Sequence, residues 1–149
     1  MRTRDADLVN RIANHPAVRP HIGASGQGEI DFTAVVADDA NVCVELEHGV
    51  MLFVPKGPGV YELHTLITPE GRGSAVLPAA HKAFGFMFSN GCEVLLTFAP
   101  ASNRPAALMA RRAGFKATSV EPNAWEDGSD VTHFRLTRAE WSARHPEAS

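Results

Sequence analysis

The spacing of apolar and polar positions changes period several times along this chain, and each change marks an element. Asp5 to Asn14 sets Leu8, Val9, Ile12 and Ala13 on one helical stripe, with acidic residues in the first turn and an asparagine at the stop, which predicts a first helix. His15 to Gly28 then holds two prolines and three glycines, the composition of a loop. Asp31 to Val36 fits a short helix or a strand equally well. Val42 to Leu46, Val50 to Val54 and Val60 to Ile67 are alternating, β-branched runs separated by Glu47-His48-Gly49 and by Lys56-Gly57-Pro58-Gly59, which predicts an antiparallel meander.

From about Ser74 to Ser89 the period becomes helical, with Val76, Leu77, Ala80, Ala83, Phe84 and Met87 on one wide apolar face and Asn90-Gly91 as the stop. Glu93 to Phe98 is too short for a helix and reads as a buried strand. Strand, helix, strand in that order implies a parallel pair with a right-handed crossover. Asn103 to Ala113 reads as a helix capped by Gly114, Phe115 to Val120 and Val131 to Leu136 as two strands joined by a polar loop, and Arg138 to Arg144 as a last helical turn. The expected fold class is therefore α/β (α+β), with a mixed central sheet of six or seven strands flanked by helices. No repeat or linker divides it. A single domain is expected over residues 1–149, with an N-terminal helix and loop over 1–30 and a core over 42–136.

Composition narrows the classes. With 149 residues, 44% of them hydrophobic and 21% charged, the chain has enough apolar surface for one core. A net charge of -3 leaves no surplus for wrapping a polyanion, so nucleic acid is not an expected partner. Cys43 and Cys92 sit far apart in apolar stretches with no CxxC pairing and no secretory segment ahead of them, so both are expected as buried thiols of a cytoplasmic protein. The seven histidines lack the tight spacing of a ligand set, and no apolar run approaches a bilayer span. Neither a metal nor a membrane is expected. Gly23-Ala24-Ser25-Gly26-Gln27-Gly28 has glycines without the spacing of a nucleophile elbow or a dinucleotide loop.

The segment Tyr61 to Gly73 carries the sharpest chemistry. A half-buried strand stops at Pro69 and enters an Arg72-Gly73 turn just before a long apolar helix, the order of parts that aims backbone N–H groups at an anion. A phosphate-bearing ligand is the expectation.

Two motifs then point to a family. Ile67-Thr68-Pro69-Glu70-Gly71-Arg72-Gly73 is one; Asn103-Arg104-Pro105-Ala106, followed by Met109 and Gly114-Phe115, is the other. Over roughly Val42 to Leu136 the chain resembles the GCN5-related N-acetyltransferases, the GNAT superfamily. The resemblance implies acetyl-CoA as donor and an amine, small molecule or peptide, as acceptor. It implies that the main chain of Leu66 and Ile67 meets the pantetheine arm of coenzyme A, that Arg72, Gly73, Ser74, Ala75 and Val76 hold the pyrophosphate, and that Asn103 meets the pantetheine or nearby backbone. A neutral amine is needed for attack, so a carboxylate or imidazole must take its proton; Glu62 and His64, two apart on one strand face, are the candidates. The loop Glu121 to Asp130, with Trp125, Glu126 and Asp127 at its tip, is expected to recruit a cationic acceptor. A homodimer is a further implication.

The sequence also departs from the family pattern. Ala75 and Leu77 stand where glycines are usual, Pro78 follows and could shift the helix start to itself, Ala110 replaces the tyrosine that protonates the departing thiolate, and Phe98 stands where some members place a glutamate base. These departures define two alternatives: a catalytically degenerate GNAT-like structural or interaction module, for instance phage-encoded, and a coenzyme A sensor that binds without turnover.

Overall fold

The computed structural model describes residues 2–22, 28–73 and 76–145. The elements run β1 (Arg2–Thr3), α1 (Ala6–Ala13), α2 (Thr33–Ala37), β2 (Val42–Leu46), β3 (Gly49–Gly57), β4 (Val60–Ile67), α3 (Val76–Ser89), β5 (Val94–Pro100), α4 (Arg104–Arg112), β6 (Lys116–Glu121), β7 (Val131–Thr137) and α5 (Arg138–Arg144). Short 3-10 turns at Arg19–His21 and Pro69–Gly71 complete the set. The strands form a seven-stranded mixed sheet in the order β1-β2-β3-β4-β5-β7-β6. Two compact units are distinguished, Met1–Val54 with Leu63–Arg72, and Pro55–Glu62 with Gly73–Ser149. Strand β4 thus begins in the second and ends in the first.

In the first unit, α1 starts where Asp5 accepts from the Leu8 amide at 3.1 Å and stops at Asn14. Its Val9, Ile12 and Ala13 pack with Val18, Val36, Cys43, Val50, Leu52 and Leu66. The polar side of α1 works as a clamp. Asn10 accepts from the Phe32 amide at 2.7 Å, and Asn14 both accepts from the Ile30 amide and donates to the Ile30 carbonyl at 2.8 Å. Asp31, its carboxyl held below the ordinary range by bonds from Thr33 and then Asn10, receives the Thr33 hydroxyl at 2.5 Å and amide at 2.9 Å. These bonds settle the ambiguous segment as helix α2, starting at Thr33. Buried Arg19 donates to the carbonyls of Ile22 and Gly28 at 3.1 and 2.9 Å, bridging from one side of residues 23–27 to the other. The glycine-rich Gly23–Gln27 stretch itself lies outside the described residues.

The hairpin between β2 and β3 is fixed by a close approach: a Cβ on Gly49 would stand 2.2 Å from the Leu66 carbonyl oxygen. Strand β3 runs on through Lys56 and Gly57, farther than its apolar run, because the turn needs only Pro58, with its preset φ, and Gly59 at φ +72°. Strand β1 escaped the sequence pattern altogether: Arg2 and Thr3 have no apolar alternation and are strand only because they pair with Val44 and Cys43.

In the second unit, β5 and β7 pair antiparallel along their whole length, Val94↔Thr137 to Pro100↔Val131. Leu95, Ala99, Phe134 and Leu136 on one face are sealed, each 2% exposed or less. Arg111 of α4 sits over Phe134 at 5.3 Å, Phe84 of α3 meets Phe115 edge-on at 5.6 Å, and Phe88 meets Trp141 of α5 at 5.7 Å. Helix α3 begins at Val76, before Pro78, because a proline in the first turn removes an N–H that has no intrahelical partner. Its buried residues Val76, Ala80, Ala83, Phe84, Met87 and Phe88 keep the helical period, whereas Leu77 is only half-buried.

Candidate acyl-transfer site

Strands β4 and β5 run parallel, and their ladder is three residues long: Val60↔Val94, Tyr61↔Leu95 and Glu62↔Leu96. Both strands continue well past it, β4 to Ile67 and β5 to Pro100. Partners across a ladder share a sheet face. Glu62 therefore stands on the face of Leu96 and Arg135, and Phe98 and His133, directly opposed, lie one step farther on that same face. The other face is the sealed one beneath Arg111.

Glu62 is half-buried, with Lys56 Nζ 3.7 Å from its carboxylate. His64, two residues on, is half-buried as well and belongs to the first unit. Leu66 is 6% exposed and part of the first unit's apolar cluster, so its side chain is not open to a ligand. The Ile67 carbonyl accepts from Arg72 Nε at 3.3 Å, and the same guanidinium donates through Nη2 to the Ala17 carbonyl at 2.5 Å. Arg72 thus fastens the turn to the chain before it.

Beyond Arg72 the backbone turns sharply. Gly73 takes φ +97°, a conformation that side-chain-bearing residues rarely adopt, and nothing lies within 4 Å of where its Cβ would be. The amides of Arg72 and Val76 make long bonds of 3.3 Å to the carbonyls of Pro69 and Gly73. Helix α3, fourteen residues long, has the positive end of its dipole at Val76. Ser74 and Ala75 lie outside the described residues.

Asn103 is the N-cap of α4, accepting from the Ala106 amide at 3.3 Å. Ala110, in the place of the family's tyrosine, is 8% exposed and packs inward. In the loop between β6 and β7, Trp125 is half-buried and forms a tight turn with Ser129 and Gly128. Asp127 accepts from the Ser129 amide at 2.9 Å, and bonds from the Ser129 and then Ser102 side chains hold its carboxyl below the ordinary range. Asp130 accepts from the Asn123 amide at 3.0 Å. Glu126 is exposed. The carboxylates of this loop are therefore not one pool of charge.

Reading the sequence alone missed a cluster that the strand register assembles. Phe98 of β5 lies 6.1 Å from the Trp125 ring and 6.1 Å from the His133 ring, and His133 Nε2 meets Glu121 Oε1 of β6 at 2.5 Å. A β-bulge between Ala117 and Ser119 sets this end of β6 against β7. The only signal in the sequence was the alternation of β7, which puts His133 next to sealed Phe134 and so on the opposite face from it; its partner strand and register were not readable.

A shallow depression of about 370 Å³ in the second unit is lined by His81, Lys82, Gly85, Ser89, Trp141 and His145, none of them in this cluster. His81 Nε2 and Trp141 Nε1 lack partners there but are sealed from solvent, and burial, then His145 and Arg144, lowers the His81 pKa. Among the described residues no group of side chains is arranged to hold a metal ion, and no helix is long and apolar enough to cross a membrane.

Among solved structures, the fold recurs in spermidine N-acetyltransferase from Vibrio cholerae. A point-substituted form of that enzyme matches with a TM-score of 0.74 at 14% identity, covering 96% of each chain. The fold is that of the GNAT superfamily. A chimera of the Vibrio cholerae enzyme with hSSAT matches at TM-score 0.65 and 15% identity over 76% of this chain and 77% of that one, and a dodecameric form of the Vibrio cholerae enzyme at 0.65 and 14% over 76% and 74%. No family model and no curated protein sequence matches the chain.

Proposed function

We propose that this GNAT-fold chain is an acyl-CoA-dependent N-acyltransferase, moving an acetyl group from acetyl-CoA to an amine by direct attack. The observation that carries the reading is the β4–β5 ladder, which ends at Glu62↔Leu96 although both strands go on. Main chain at Leu66 and Ile67 is then offered to the pantetheine arm, as an added strand would be. The Gly73 turn, with Arg72, Ser74, Ala75 and the Val76 amide, takes the diphosphate, and Asn103 completes the donor contacts.

Glu62 or His64 accepts the acceptor's proton, directly or through water. With Ala110 unable to act as an acid, the thiol leaves as thiolate; its ordinary pKa of about 8.5 makes that a modest handicap. Trp125, Glu126 and Asp127 border the acceptor. The amine is a small molecule or peptide, and polyamines enter the screen because the structural neighbours are spermidine N-acetyltransferases. The same reading takes the protein as a cytoplasmic homodimer.

A second reading has its own support: Arg72 and Asn103 both bond to their own chain, and Ala110 is sealed. A GNAT-like structural or interaction module, phage-encoded for instance, needs nothing more. Calorimetric titration with acetyl-CoA and a thiol-release assay across amines separate the readings. Heat plus thiol release supports the transferase, heat without release under every amine supports a coenzyme A sensor, and no heat supports the module. Glu62→Gln should lower kcat by about a hundredfold, the lower end for loss of a general base; an unchanged kcat moves the role to His64.

A further inference from the structure

We infer that Phe98, Trp125 and His133, with Glu121 holding the imidazole, form the subsite that selects the acceptor, and that it favours a primary monoamine on an apolar or aromatic skeleton. The inference rests on the transferase reading and adds to it which residues read the amine and what kind of amine they read.

The face of the sheet decides where the subsite lies. Phe98 and His133 are ladder partners on the face that Glu62 shares, and Trp125 reaches that face from the loop between β6 and β7. All three rings are half-buried, while Leu95, Ala99, Phe134 and Leu136 on the opposite face are sealed. Aromatic surface left half-open beside a candidate base is surface with a use. A ring face attracts a cation by its quadrupole and covers the attached carbons by apolar contact, so one patch can read both ends of an arylalkyl ammonium.

Charge argues for a monoamine. A site for a polycation spreads several uncommitted carboxylates along its length. Here Asp127 and Asp130 keep their charge but are pinned to their own turn, accepting from the Ser129 and Asn123 amides. Glu121 is committed to His133, with a side chain 62% exposed against 36% for the imidazole. A carboxylate only accepts, so Nε2 carries a proton toward Glu121, and in the neutral tautomer this leaves Nδ1 as an acceptor for an ammonium N–H. Glu121 is accordingly a positioning residue.

Kinetics on the full chain with acetyl-CoA and benzylamine, tyramine or spermidine test this, alongside calorimetry of acetyl-CoA binding alone. Benzylamine or tyramine should exceed spermidine in kcat/KM by about tenfold, equivalent to one aromatic contact of roughly 1.4 kcal/mol. Trp125→Leu and Phe98→Leu should each raise the amine KM by about tenfold with kcat and acetyl-CoA affinity unchanged, and Phe98→Tyr should restore KM. Glu121→Gln should raise KM less than His133→Leu does. Unchanged KM in the Trp125 and Phe98 variants, or a preference for spermidine, overturns the subsite and leaves the transferase standing. If the protein does not bind acetyl-CoA at all, the transferase reading fails on its own; quenching of tryptophan fluorescence by benzylamine, lost in Trp125→Leu, would still support the subsite, and no quenching would overturn it too.

Discussion

Arg72 reaches back to Ala17 across fifty-five positions, its Nη2 donating to that carbonyl at 2.5 Å while its Nε holds Ile67 at 3.3 Å. One guanidinium thus ties the end of β4 to the loop after α1. The same side chain precedes the turn that is proposed to take the diphosphate, and that proposal predicts two separable roles for it. Arg72→Ala should lose about 1 kcal/mol of stability, since the group is exposed and each charge-assisted bond is partly replaced by water, which lowers Tm by roughly 2–4 °C. Acetyl-CoA affinity should fall about tenfold. Arg72→Lys keeps the charge without the two-pronged contact and should recover affinity more than Tm. A lower Tm with unchanged affinity would reduce Arg72 to a structural clip.

Two glycines near this turn are expected to behave in opposite ways. Gly49 is a packing glycine: a methyl group would meet the Leu66 carbonyl oxygen at 2.2 Å and Ile67 Cα at 2.9 Å, both main-chain atoms that cannot step aside. Gly49→Ala should cost more than about 3 kcal/mol and depress Tm by on the order of 10 °C. Gly73 is a conformational glycine, with φ +97° and open space around its missing Cβ. Gly73→Ala should cost only about 1–2 kcal/mol, the penalty for an L-residue in the left-handed region, and should weaken acetyl-CoA binding. Thermal melts with and without acetyl-CoA check both. Equal Tm losses in the two variants would contradict this division.

These two positions show what the sequence could and could not reveal. Strand and helix periods were legible wherever one face is buried, as in α3, and the order of parts was enough for the GNAT resemblance. Gly49 looked like an ordinary hairpin glycine because its constraint comes from Leu66, seventeen residues later in the chain. Asn103 was legible as a cap because capping is local. The Phe98–His133 pairing was not, since register between β5 and β7 is set by packing of their sealed face and not by either strand alone. Edge pairing likewise made β1 from two residues with no pattern of their own.

The two cysteines give a simple check on the core. Cys43 and Cys92 are both buried, and desolvation pushes each thiol up to about 11. The thiolate is the reactive species, so neither should react measurably with a disulfide reagent at pH 8 while the protein is folded. Both should titrate at once in denaturant. Rapid reaction of either under native conditions would mean that its strand or helix end opens far more readily than a sealed core allows.

Acid should unfasten the second unit at Glu140. Its carboxylate lies 2.8 Å from Lys116 Nζ and closes a capping box with Thr137, accepting from the Thr137 amide at 3.0 Å while the Thr137 hydroxyl accepts from the Glu140 amide at 3.2 Å. The Lys116 bond, then the Thr137 amide, holds the Glu140 carboxyl down to about 2 from an ordinary 4.5. A depressed folded-state value means that the ionised form stabilises the fold: the contribution is complete above about pH 4.5 and drains away as pH falls towards 2. Asp31, Glu70 and Asp127 are lowered as well, so the acid slope of the unaltered protein is a sum, and a difference measurement isolates Glu140. Glu140→Gln keeps an oxygen for the cap and loses the ion pair. Its Tm should lie several degrees below the parent at pH 7 and converge on it between pH 4.5 and 2, and Lys116→Met should reproduce most of the gap. A gap that stays constant down to pH 2 would place the stabilisation in the neutral cap and not in the charge.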